Sequence, residues 1–255
     1  MSSEPVAGTQ SIRRAVALLA AFTDERPAWA AGDLAEAVGL NRTTTYRLLT
    51  ALESAEFVAR DPAADTYRLG SGLIALGARA GRANSVRAVA LPELAVLAAQ
   101  TGETATLEIL SGHEVVIIEE IPGEYVTSGS QHIGSRWPIY ATSTGKAILA
   151  HLPPEEIAPL LSLSMPPLTD HTLPTARLRD CLAGVRRAGY AVAAEELELG
   201  FVAVGAAILD AGRRPVAALS LGGTHTRLTD ARIPEIGALV RAAAARVSHK
   251  LGYRQ

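Results

Sequence analysis

The pattern of apolar positions between residues 33 and 52 predicts two helices joined by a tight turn. Leu34 and Val38 lie four residues apart, on one face of a first short helix. Gly39 supplies the backbone freedom that a sharp turn needs, and Asn41 suits the N-cap of a second helix. This arrangement is typical of helix-turn-helix modules that bind DNA.

The second predicted helix has one apolar and one polar face. At about 100° per residue, its leucines cluster on one side, and Thr45 is expected to point inwards with them. The opposite side carries Thr43, Tyr46, Arg47 and Thr50. Arginine contacts guanine edges or phosphates, and threonine contacts phosphates and thymine methyl groups. We therefore expect this polar face to contact the major groove.

The flanking segments complete a winged-helix pattern. Residues 12–22 have apolar positions at helical spacing and are expected to pack on the helix-turn-helix. Residues 57–60 and 66–69 alternate as two strands around a polar turn, which predicts a hairpin or wing. The candidate DNA contacts of this module are Arg14, Asn41, Arg42, Thr43, Thr44, Tyr46, Arg47, Arg60 and Arg68.

Beyond the wing, the pattern predicts a linker helix and then a second domain. The linker helix follows Gly72, runs from residue 73 to about 87 and is rich in alanine and glycine. The later elements are a helix at 92–100, a hairpin of strands 104–110 and 114–118, helices at 144–151, from 153, at 175–188 and at 231–251, and strands at 202–209 and 215–221. We expect an α+β chain with domains at 1–72, 73–90 and 91–255.

Composition excludes several classes of protein. The 255 residues carry 24 basic and 26 acidic side chains, so net charge gives no reason to expect a polyanion-coating or membrane-surface protein. The single Cys181 excludes an intrachain disulfide framework. No cationic leader is visible, and no apolar run reaches the roughly 18 residues of a membrane span, so we expect a cytoplasmic protein. The first 80 residues are not basic overall, so the pattern alone leaves both DNA binding and a purely structural helix-turn-helix open.

Short motifs along the whole chain decide between these two readings. They lie at residues 10–12, 14–15, 34–36, 39–40, 43, 47–49 and 67–70, and again at 91–92, 101–104, 134–136, 141–142, 145–147, 189–190, 195–196, 199–200 and 217–220. In this order they resemble the IclR-type bacterial transcriptional regulators. The resemblance implies a winged-helix repressor of catabolic genes, active as a homodimer or homotetramer on a pseudo-palindromic double-stranded operator. It also implies a C-terminal α/β domain with a GAF-like or profilin-like sheet and flanking helices, which binds a small organic-acid effector and needs no cofactor.

The segment from Thr142 to Lys146 precedes an apolar helix. Free backbone N–H groups at a helix N-terminus, together with hydroxyl side chains, form a seat for a carboxylate, and here they belong to Ser143, Thr144 and Gly145. A phosphate-binding P-loop would need glycine in place of Tyr140 and serine or threonine in place of Ala147. A capped helix that packs on the sheet without a ligand remains the alternative.

The resemblance assigns further residues to this site. It implies that Ser143 and Thr144 hold the effector carboxylate through main-chain donors and that Ser220 lines the pocket. Members that bind very small polar acids carry aspartate and cysteine where this chain has Ala193 and Ala203. The two alanines make the cavity roomier and more apolar, which favours a larger and even aromatic carboxylate.

The remaining candidates for chemistry are weak. Glu195, Glu196 and Glu198 could form a catalytic carboxylate pair, but adjacent acids after a strand are more typical of a solvated turn or a helix start. The six histidines lack metal-ligand spacing, so no metal site is expected. A small-molecule hydrolase with an accessory helical domain remains an alternative, although no Gly-x-Ser-x-Gly motif supports catalysis. A ligand-binding sensor that has lost DNA binding is the other alternative.

Overall fold

The computed structural model describes residues 9–125 and 132–254, and the chain forms two compact units divided between Ala83 and Asn84. Helices and antiparallel strands occur in both units, as the α+β expectation requires. The first unit contains α1 (Gln10–Ala20), β1 (Ala28–Ala30), α2 (Ala31–Ala37), α3 (Arg42–Ser54), β2 (Val58–Asp61), β3 (Thr66–Leu69) and α4 (Ser71–Ala83). The second contains α5 (Ser85–Thr101), β4 (Thr104–Ser111), β5 (Glu114–Ile121), β6 (Arg136–Pro138), α6 (Ser143–His151), α7 (Pro154–Leu161), α8 (Thr175–Ala188), β7 (Ala191–Ala194), β8 (Phe201–Leu209), β9 (Pro215–Thr224) and α9 (Ile233–Lys250).

The predicted helix-turn-helix is confirmed in α2 and α3. Gly39 has φ +66°, the left-handed conformation that only glycine adopts without strain. The side-chain oxygen of Asn41 accepts a hydrogen bond from Thr44 N at 2.8 Å, as an N-cap should. Thr45 is fully buried. Leu18 of α1, Leu34 of α2 and Leu49 of α3 form the centre of the core that holds these helices together.

The wing is also confirmed, with one strand that the sequence pattern did not predict. β2 and β3 pair antiparallel, and β1 pairs with the other edge of β3. β1 has only three residues, too few to show an alternating pattern, and it is a strand because Trp29 is buried in the core and paired with Tyr67.

The predicted boundary between the linker helix and the next helix was wrong. α4 ends at Ala83, and α5 begins at Ser85 and continues through Pro92 to Thr101. The break occurs at Asn84, whose side chain accepts a hydrogen bond from Arg87 N at 3.0 Å and caps α5. Pro92 removes one N–H donor and crowds the carbonyl group four residues earlier, but burial of Leu94 and Leu97 in the core keeps the rest of the helix in place.

The second unit is built on a six-stranded antiparallel sheet with the order β6-β5-β4-β9-β8-β7. One core cluster joins α5 and α9 to the sheet through residues such as Val204 and Leu219, and the other joins α6 and α8 to it through residues such as Ala218. The helices therefore flank both faces. β6 and β7 were not predicted, because β6 is short and β7 is a run of small residues without alternation. Across the described parts of the chain, no helix combines the length and apolarity needed to span a bilayer.

Candidate effector site and DNA-recognition helix

The polar face of α3 is exposed as the helical wheel predicted. Thr43, Tyr46, Arg47 and Thr50 are all accessible, whereas Leu49 and Leu52 are buried. The guanidinium of Arg42, at the start of α3, lies beside Gly32. A β-carbon added to Gly32 would be 3.8 Å from Arg42 Nη2. Asn41 and Thr44 are engaged with each other in the N-cap.

The predicted basic residues around α3 differ in their surroundings. Arg60 on β2 forms an ion pair with Asp65 at 2.6 Å within the same exposed wing. Arg47 and Arg68 have no carboxylate partner among the described residues, and both are exposed. Arg14 on α1 is half-buried. Arg47 and Arg68 therefore have guanidinium groups that are available to another molecule.

The start of α6 leaves two backbone donors without an acceptor. Thr142 is the N-cap, and its hydroxyl oxygen accepts the Gly145 N–H at 3.0 Å, while its carbonyl accepts the Lys146 N–H. The N–H groups of Ser143 and Thr144 donate to no atom of the described residues. A helix N-terminus of this kind attracts anions.

The sheet holds the start of α6 at a fixed position. A β-carbon on Gly205 of β8 would lie 2.9 Å from Ser143 Oγ and 3.0 Å from Thr144 N, so only glycine allows this approach. The hydroxyls of Ser143 and Ser220 are 3.4 Å apart. Gly145 serves a similar purpose, because a β-carbon there would lie 2.1 Å from the Ile139 carbonyl oxygen.

A small cavity lies between the start of α6 and the sheet, with about 20 Å³ of space for the centre of a water-sized molecule. It contains Ser143, Thr144, Ala193, Ala203 and Ser220 from the sequence prediction, whereas Gly145 lies outside its lining. The other lining residues are Glu108, Ile117, Trp137, Ala141, Thr142, Leu197 and Phe201. Ala193 and Ala203 are direct cross-strand partners on β7 and β8, so the two alanines widen the same wall.

Glu108 is a cavity residue that sequence reasoning missed. Its side chain is buried, and its two oxygens accept hydrogen bonds from the hydroxyls of Thr144 at 2.5 Å and Thr106 at 3.0 Å. Burial raises the pKa of the Glu108 carboxyl above its ordinary value, although the two hydroxyls act in the opposite direction. A signal was present in the sequence, because Thr104, Thr106 and Glu108 alternate with apolar residues along β4.

Trp137 on β6 is a second missed residue of the cavity. Its indole Nε1 is buried and donates to no acceptor among the described atoms. An unpaired buried N–H costs about 1–3 kcal/mol. The residues that line the cavity therefore carry a third unpaired donor in addition to the two amides of α6.

The interpretation of the acidic run after β7 as a solvated turn was wrong for Glu196. This side chain is buried and lies 2.5 Å from the ammonium of the fully buried Lys146, which also donates to the Val192 carbonyl. Burial raises the pKa of Glu196, and the attraction of Lys146 acts in the opposite direction. Glu198 is exposed, whereas Glu195 is half-buried and accepts a hydrogen bond from Gly200 N.

Two family models match this chain, one for each unit. The IclR helix-turn-helix domain matches residues 11–62, and the C-terminal region of the bacterial transcriptional regulator IclR matches residues 79–249. The chain belongs to the IclR family. As a member of this family it is a DNA-binding transcriptional regulator and not an enzyme, so the hydrolase alternative is excluded.

Full-length relatives agree with this assignment. The transcriptional repressor IclR of Escherichia coli K12 is 32% identical over 99% of this chain and 94% of its own length, and the repressor AllR of the same strain is 33% identical over 99% and 94%. An IclR homologue from Microbacterium hydrocarbonoxydans, crystallised in complex with 4-hydroxybenzoate, is 27% identical, with a TM-score of 0.84 over 94% of this chain and 98% of that chain. An IclR regulator from Alicyclobacillus acidocaldarius has the same TM-score at 29% identity, over 94% and 97%.

Proposed function

We propose that this regulator is a repressor whose operator binding is controlled by an organic acid held in the cavity beneath α6. The observation that carries the proposal is that three residues lining one cavity carry N–H donors without an acceptor among the described atoms: Ser143 N, Thr144 N and Trp137 Nε1. Three donors without acceptors favour a ligand that brings oxygen atoms, and the positive end of a helix favours an anion.

The walls of the cavity favour an acid with an apolar body. Ile117, Leu197 and Phe201 line it together with Ala193 and Ala203. The space open to the centre of a water-sized molecule is about 20 Å³, so binding of an aromatic acid requires the lining side chains to move apart. The 4-hydroxybenzoate complex of the Microbacterium hydrocarbonoxydans homologue supports an aromatic carboxylate as the class of effector.

On the DNA side, we propose that α3 lies in the major groove and that the wing contacts the backbone. The residues proposed to contact DNA are those predicted from the sequence: Arg14, Asn41, Arg42, Thr43, Thr44, Tyr46, Arg47, Arg60 and Arg68. Residues 1–72 then bind DNA, and residues 91–255 bind the effector. Residues 73–90, which include most of α4 and the start of α5, connect the two domains. One helix contacts too few base pairs for useful specificity, so a homodimer or homotetramer on a pseudo-palindromic operator completes the proposal.

The test begins with the operator. Double-stranded sites are selected from a random pool by the full chain, and binding to the selected site is then measured with benzoate, 4-hydroxybenzoate and short aliphatic acids present. An acid that binds only the folded protein also raises the unfolding temperature in proportion to RT ln(1 + [L]/Kd). The proposal fails if none of the acids changes either the operator affinity or the unfolding temperature.

A cavity-filling variant locates the site. Ala203→Trp overpacks the wall at a cost of about 1–3 kcal/mol, so acid affinity should fall while operator binding without acid persists. Ala194→Trp, on the exposed side of β7, is the matched control and should bind the acid normally. Equal acid affinity in the Ala203→Trp variant and the parent would place the site elsewhere.

A further inference from the structure

Glu108 is an acidic group inside a cavity that is proposed to bind an acid. Both of its carboxyl oxygens meet threonine hydroxyls, from Thr144 and Thr106. No cationic side chain of the described residues lies within ion-pair distance of it. A carboxyl without a counter-charge at this position would repel a bound carboxylate if it were ionised.

The neighbouring elements do not supply a counter-charge. On α6, Lys146 is paired with Glu196, and burial lowers the pKa of His151. On α5, Arg87 is paired with Glu119, and Glu93 is paired with Arg246 and Lys250. On β5, Glu114 is paired with Arg136, and Glu120 lies 3.7 Å from His132. β9 has no charged residue. The groups that meet Glu108 in the cavity are therefore neutral.

Thr144 connects Glu108 to the proposed carboxylate seat. Its N–H is one of the two free donors of α6, and its hydroxyl is 2.5 Å from a carboxyl oxygen of Glu108. An effector carboxylate on the Thr144 N–H therefore comes close to the Glu108 carboxyl. Two carboxyl groups in such proximity, away from water, do not both ionise.

We propose that Glu108 is a specificity-determining residue that receives the effector as a neutral carboxyl and donates its proton in a hydrogen bond to the effector's carboxylate. This inference rests on the proposed function, because it takes the α6 amides as the carboxylate seat. Burial independently favours the neutral form by raising the pKa of Glu108. The cavity then accepts a carboxylate only while Glu108 keeps its proton.

The test compares acid binding at different pH values in the full chain. Benzoate and 4-hydroxybenzoate are titrated calorimetrically into the wild-type protein and Glu108→Gln between about pH 5.5 and 8.5. Wild-type affinity should fall by up to about tenfold per pH unit above the pH at which Glu108 ionises. Glu108→Gln keeps an N–H donor and cannot ionise, so its affinity should stay constant. Glu198→Gln removes an exposed carboxylate of the same unit and should behave as wild type.

The outcomes separate this inference from the function on which it rests. Wild-type binding that is constant across the range, or that tightens as pH rises, would overturn the role of Glu108 and leave the acid site in place. If neither acid binds the wild type or Glu108→Gln at any pH, both the aromatic-acid effector and the role of Glu108 are rejected.

A second measurement needs no ligand. Because the folded-state pKa of Glu108 is raised above the ordinary value of 4.5, the folded protein holds more protons than the unfolded chain between those two pKa values. Wild-type stability should therefore fall as pH rises from about 4.5 through the folded pKa, relative to Glu108→Gln. Parallel unfolding-temperature profiles for the two proteins would show that Glu108 ionises without cost, and the inference would fail.

Discussion

At the residue scale, Arg47 and Arg60 are both exposed in the first unit, but of these two only Arg60 has an ion-pair partner among the described residues. Arg47→Ala should weaken binding to the selected operator by about 1–3 kcal/mol if the guanidinium contacts a base edge. Arg60→Ala should weaken binding evenly for selected and scrambled duplexes, because a wing contact to phosphate carries no sequence information. Fluorescence anisotropy with both duplexes measures this difference, and unchanged operator affinity in a folded Arg47→Ala variant would contradict it.

The buried pair of Lys146 and Glu196 gives a second prediction at this scale. Lys146→Met leaves the Glu196 carboxyl buried without its cation and should cost about 3–5 kcal/mol of folding free energy. The double variant Lys146→Met with Glu196→Gln removes both charges and should recover a large part of that loss. Chemical denaturation measures both. If the single and double variants are equally destabilised, the cost arises from packing around Lys146 and not from the unpaired carboxyl.

At the scale of elements, the contact of α6 with β8 determines where the two free amides lie. Gly205→Ala places a methyl group against Ser143 Oγ and the Thr144 backbone. The start of α6 should move away from the sheet, with a loss of stability of about 1–3 kcal/mol and weaker acid binding. Unfolding curves and acid titration provide the measurement.

Gly184→Ala on α8 is the matched control for that substitution. A β-carbon at Gly184 meets no other atom within 4 Å, and alanine is favoured over glycine inside a helix by about 0.5–1 kcal/mol. This variant should be slightly more stable than the parent and should bind acid equally well. If Gly205→Ala behaves like Gly184→Ala, then α6 adapts to the added methyl group and its position does not depend on glycine.

At the scale of the whole molecule, the proposed homo-oligomer requires a surface that the single chain leaves open. In the first unit, Ile12 and Val16 on α1 are 66% and 58% exposed, and Ile74 on α4 is 76% exposed. We predict that Val16→Glu combined with Ile74→Glu lowers the molar mass measured by light scattering and weakens operator binding, because charged side chains oppose burial at an apolar interface. Leu163→Glu, at an exposed position in the second unit, should change neither. A wild-type monomer with full operator affinity would contradict the prediction.

The amino-acid sequence by itself determined the elements whose signals are local. A turn glycine and an N-cap residue specify the helix-turn-helix through neighbouring backbone atoms, as Gly39 and Asn41 do. The start of α6 and the hairpin of β4 and β5 follow from the same kind of short-range rule. Family motifs added the candidate effector residues, five of which line one cavity.

Only the tertiary structure decided which distant residues meet. Glu108 and Thr144 are separated by 36 positions, and Lys146 and Glu196 by 50, yet each pair shares a hydrogen bond. Strands β1 and β7 exist because a partner strand supplies their hydrogen bonds, a condition that a short segment cannot express in its own pattern. Burial then sets the charge behaviour of Glu108, because removal from water is a property of the surrounding fold and not of the residue.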